Sequence, residues 1–136
     1  MRAKTAKSAV LIAAAGLLVA AAPVFAHHSF AAEYDASKPV DFKGTVTKVE
    51  WTNPHARFYV DVKDADGKVT NWNFELASPN VLSRNGWTRH SLKEGDVISV
   101  QGSRAKDGAN LANARTVTLA DGRKVFAGSA TDNEGK

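Results

Sequence analysis

Val40-Asp41-Phe42-Lys43-Gly44-Thr45-Val46-Thr47-Lys48-Val49-Glu50-Trp51 is the stretch on which the fold turns. Val40, Phe42, Gly44 and Val46 keep a period of two, the mark of a strand with one face in a core. The apolar phase then slips to Val49 and Trp51. Such a slip predicts a bulge or a sharp coil within one long strand. Gly44 stands where a curved strand needs a residue without a side chain. Asn53-Pro54 ends the strand.

Downstream, Arg57 to Lys63 alternates again, with Phe58, Val60 and Val62 on one face. Asp64-Ala65-Asp66-Gly67 is a turn with glycine where positive φ is wanted. Val69 to Leu76 completes the hairpin, with Trp72, Phe74 and Leu76 in phase. Ser78-Pro79-Asn80 has the chemistry of a helix start, an N-cap serine followed by proline at the first helical position. Asn85-Gly86 stops that helix after about two turns. The spacing predicts a further helical turn within Trp87 to Lys93, anchored by Leu92. Val97 to Gly102 and Leu111 to Leu119 are strands, the second with Arg115, Val117 and Leu119 on one side. Lys124-Val125-Phe126 can add a short terminal strand.

Three strands, a helix and two more strands is the order of a five-stranded Greek-key barrel of the OB type. The fold class expected is therefore all-β with one or two short helices, an OB-like barrel. A small open β-sandwich is the alternative.

Upstream, Arg2, Lys4 and Lys7 precede an almost wholly apolar run from Ser8 to Ala22, then Pro23 and Val24-Phe25-Ala26. These are the parts of a secretory signal peptide. The run is short for a membrane span, which needs about 20 residues. The expected organisation is a cleaved signal at 1–26, an N-terminal arm at 27–39, the barrel at 40–127 and a disordered tail at 128–136. The expected location is the periplasm, with no permanent membrane anchor.

The leader takes three of the 18 basic residues and none of the 14 acidic ones, so the remaining chain carries a net charge of +1. The basic balance of the whole chain is therefore no footprint of nucleic acid, and nucleic acid is not expected as a partner. With no cysteine, disulfides, thiolate metal sites and cysteine nucleophiles are excluded.

His27-His28-Ser29-Phe30-Ala31-Ala32-Glu33-Tyr34-Asp35 recurs as a type in one family, together with GTVTKVEWTNPH at 44–55, SPNVLSRNGWT at 78–88 and SLKEGD at 91–96. In these motifs the chain resembles a family of short exported bacterial proteins known only as a domain of unknown function. The resemblance spans residues 27–119. It implies a cleaved signal and an OB-like barrel, and it implies no activity. His90 departs from the family pattern, which has an acidic residue there.

Cleavage after Ala26 would make His27 the first residue. Its amino group and imidazole could then chelate one metal ion, with His28 or His55 supplying a third nitrogen. Nitrogen ligation without sulfur suits Cu(II) first. Glu33 and Asp35 are candidate carboxylate partners. The competing account makes His27 and His28 a solvated terminus and His55 a turn histidine bonded to backbone.

A second constellation is Trp51, Arg57, Tyr59, Trp87 and Arg89, with Trp72 and Arg84 nearby in type. Aromatics beside arginines could form a face for a glycan or an envelope protein; the other account puts the tryptophans in the core. No nucleophile elbow, metalloprotease or phosphate-loop pattern is present, and a binding module rather than an enzyme is expected.

Overall fold

In a computed structural model of the chain, residues 30–128 are described. The expected signal peptide at 1–26, the histidines His27 and His28, and the tail from 129 onward lie outside the described residues.

The elements follow in the order α1 (Phe30–Glu33), β1 (Tyr34–Glu50), β2 (Arg57–Lys63), β3 (Val69–Glu75), α2 (Pro79–Arg84), β4 (Val97–Ala105), β5 (Leu111–Thr118) and β6 (Lys124–Phe126). The sheet runs β3-β2-β1-β4-β5-β6, and β3 also pairs with β5. That extra pairing is parallel, through Asn73↔Leu111, Phe74↔Ala112 and Glu75↔Asn113. It joins five strands into a ring, which is the OB topology and rules out the open sandwich.

β1 serves both halves of the barrel. Its C-terminal half pairs with β2 and its N-terminal half with β4, and the ladder to β2 skips Thr47 between Val46 and Lys48. The bulge falls where the apolar phase slips in the sequence. A side chain at Gly44 would run into the Asp61 carbonyl oxygen and lie 2.6 Å from Val60 Cγ1. Only glycine allows the two strands to cross so closely.

Inward-facing Phe58 and Val60 of β2, Trp72 and Phe74 of β3, and Ile98 and Val100 of β4 fill the barrel. Phe58 stacks on Phe74 at 5.2 Å between ring centroids, and Phe42 leans on Trp72 at 4.7 Å. Leu82 of α2 is fully buried and joins this cluster. The Ser78 side chain accepts from Val81 N, as its N-cap chemistry predicts.

Three local expectations need correction. Residues 30–39, assigned to an arm, carry α1 and the first part of β1. Their pattern is irregular because the β4 register breaks between Asp35 and Pro39, where Asp35 Oδ1 accepts from both the backbone N and the hydroxyl of Ser37. Trp87 to Lys93 forms turns and bends rather than helix. There Ser91 Oγ accepts from Thr88 N and Thr88 Oγ1 from His90 N, local bonds that compete with a helix. Arg115 does not share a face with Val117. Gln101 pairs with Thr116 and Gly102 with Ala114, so Arg115 is the extra residue of a bulge and is exposed.

Candidate functional site at the β1–β2 loop

The loop between β1 and β2, residues 51–56, is fixed at its far end by two backbone bonds. Ala56 N donates to Ala77 O at 3.1 Å, and Leu76 N donates to Ala56 O at 2.8 Å. This holds His55 against the end of β3. His55 Nδ1 donates to Leu76 O at 3.0 Å. A carbonyl oxygen only accepts, so this contact puts a ring hydrogen on Nδ1, and in the neutral ring the lone pair is then on Nε2. The His55 side chain is 23% exposed.

Beside it lies Glu75, on the outer wall of β3 because Phe74 faces inward. The residue is 7% exposed. A buried carboxylate is tolerated only with partners, and Glu75 has them. Tyr34 OH donates to Oε2 at 3.0 Å and Arg57 Nη2 donates to the same oxygen at 2.6 Å. Oε1 faces His55 Nδ1 at 3.6 Å, too long for a hydrogen bond. Arg57 also reaches Asn73 Oδ1 at 3.4 Å. Burial, and after it the charge of Glu75, pushes the Tyr34 phenol far above its ordinary range. Tyr34 is thus a neutral donor throughout the range in which proteins are handled. Phe30 packs on its ring at 5.6 Å.

Of the residues singled out in the sequence, the fold brings His55 and Arg57 together. Tyr59 lies half-buried on the outer face of β2, with Lys48 Nζ 5.3 Å from its ring centroid. Trp51 is half-buried and packs on the core. Trp87 does not belong to an exposed face. It is 2% exposed, and its Nε1 donates to Phe126 O at 2.9 Å. Arg89 is exposed in the turn that follows. Asp35 is engaged by Ser37, and the carboxylate beside His55 is Glu75 instead. Glu75 and Tyr34 were missed as site residues. In Trp72-Asn73-Phe74-Glu75-Leu76 the acid falls with Asn73 on the polar phase of the alternation, where a solvent-facing residue is expected, so its burial has no local signal. Among the described residues, no three of His, Asp and Glu stand together as a ready metal cage.

The chain is an OB-type barrel with a polar corner at its β1–β2 loop. It belongs to a family of unknown function (DUF6152), whose model matches residues 14–114. No curated protein matches it. Among solved structures it is similar to Rim1, a mitochondrial single-stranded DNA binding protein from S. cerevisiae. The identity is 10%, the match covers 60% of this chain and 92% of that one, and the TM-score is 0.47. It is also similar to the N-terminal domain of PriB from Thermoanaerobacter tencongensis, at 15% identity over 61% of this chain and 96% of that one, with a TM-score of 0.41. These are likenesses of fold. They correct one expectation all the same: nucleic acid is not ruled out as a partner, because the architecture is shared with a single-stranded DNA binding protein.

Proposed function

We propose that the protein is an exported, periplasmic binding module that holds Cu(II) or a similar metal ion at the His55 corner. His55 Nε2 is its ligand on the barrel, and His27 and His28 supply nitrogens from the N-terminal side. The observation that carries this reading is the path from Phe30 to His55. Phe30 packs on Tyr34, Tyr34 donates to Glu75, and Glu75 borders His55. His27 precedes Phe30 by three residues, a reach of up to about 10 Å. The Nδ1 bond to Leu76 O supports it further, since a histidine whose other nitrogen is fixed on a carbonyl is oriented for ligation. No step of catalysis is assigned to the site.

The test begins with the intact mass of the protein recovered from the periplasm. Cu(II) titration of that sample, followed by electron paramagnetic resonance, then reports stoichiometry and ligands. A chain starting at His27 that binds one Cu(II) tightly through several nitrogens supports the reading. His55→Ala should remove one nitrogen from the spectrum, and one extra residue before His27 should abolish the amino-terminal chelate. Spectra and affinity unchanged in both variants would refute the site.

A further inference from the structure

Away from that corner, a second surface gathers around the bond between Trp87 and β6. From Pro79 to Lys93 the chain has no acidic residue. Arg84 ends α2 and Arg89 lies in the turn after Trp87, both exposed. The Trp87 indole donates to Phe126 O, which ties this segment to β6. On β6, Lys124 is exposed and Phe126, an aromatic ring on a solvent face, is 46% exposed. The backbone of the bulged, exposed Arg115 runs beside the end of β6, where Ala127 N donates to its carbonyl at 2.7 Å. Among the described residues none of these four cations has an ion pair. Asp121, an acid in the turn between β5 and β6, is taken by Arg123 at 2.8 Å.

We infer that this basic surface, together with the exposed ring of Phe126 on β6, docks on an anionic phospholipid membrane. Unpaired arginines and lysines near a negative headgroup layer are attracted over about a Debye length. A half-exposed phenyl ring among them can enter the acyl boundary, as in peripheral proteins. A nucleic-acid strand presents the same phosphates but asks for several aromatic platforms in succession. Here Trp87 is buried with its N–H engaged, which leaves the single ring of Phe126. The contact is reversible, a few charges and one ring, and it is independent of the metal reading.

The experiment uses the protein recovered from the periplasm. It is sedimented with vesicles of phosphatidylcholine alone and of phosphatidylcholine with phosphatidylglycerol, and titrated separately with a short single-stranded oligodeoxynucleotide. Binding to the anionic vesicles only, weakened by salt, is expected. The double variant Arg84→Gln/Arg89→Gln should weaken it about 30-fold, and Phe126→Ser about tenfold. All three side chains are exposed, so unchanged circular dichroism serves as the control for folding. Equal binding to neutral vesicles, no binding to anionic ones, indifference to the double variant, or tighter binding of the oligonucleotide through the same arginines would each overturn the proposal.

Discussion

Glu75 carries a negative charge on a wall of the barrel where water barely reaches. Its two donors act on one oxygen, and the other is left toward His55. Removing one partner of a buried pair strands the other charge. Arg57→Ala should therefore destabilise the protein by about 3 kcal/mol, read from the midpoint of urea unfolding. Glu75→Gln keeps the shape and one acceptor oxygen and should cost less. If Cu(II) binds at His55, the same variant removes a negative charge 3.6 Å from the ring and should lower the affinity. Tyr34 adds a pH dependence whose sign follows from its raised pKa. The folded protein keeps the phenol protonated while the unfolded chain ionises near 10. The stabilisation is complete below about pH 10 and is lost as pH rises above it. Tyr34→Phe should cost about 2 kcal/mol at neutral pH, and its difference from the native protein should shrink in unfolding curves above pH 10. His55 and Arg57 could be picked out from the sequence because loop histidines and arginines beside aromatics have recognisable chemistry. The Tyr34–Glu75 bond joins residues 41 apart, and only closure of the barrel brings them together.

At the scale of elements, legibility follows how local the cause is. α2 is announced by Ser78-Pro79 and ended by Asn85-Gly86, and the structure agrees. Gly86 has φ +88, the left-handed backbone that favours glycine. Ser78→Ala removes the cap on Val81 N and should lower stability by about 1 kcal/mol, measurable as a shift of the thermal midpoint with the fold unchanged. The bulge in β1 could be read because it displaces a long apolar pattern. The front of β1 could not, since its irregular residues 36–38 hide the two ladder positions before them. Arg115 defeats the alternation rule for the same reason, one inserted residue. Gly102 shows how tightly that region is built. A side chain there would collide with the Asn113 carbonyl oxygen, so Gly102→Ala should force the β4–β5 ladder apart and cost several kcal/mol, at or beyond the about 3 kcal/mol ordinary for overpacking.

At the scale of the whole molecule, the ring is unevenly sewn. β1 and β4 pair from Tyr34↔Ala105 to Thr45↔Val97, whereas β3 and β5 meet at only three residue pairs, with Asn73 N donating to Asn110 O at 3.0 Å beside them. Amides on the β3–β5 line should exchange with solvent through a lower opening free energy than those between β1 and β4, a difference that hydrogen exchange followed by NMR would measure. The order of the elements sufficed to expect a ring, because three strands, a helix and two strands have few short, unknotted ways to close. The short parallel line has a consequence at high concentration. Unrolled along it, the chain becomes a flat ribbon with two raw edges, and the edge of one copy fits the opposite edge of another. Exchange of strands between copies is then the foreseeable route by which a crowded or weakened sample dimerises.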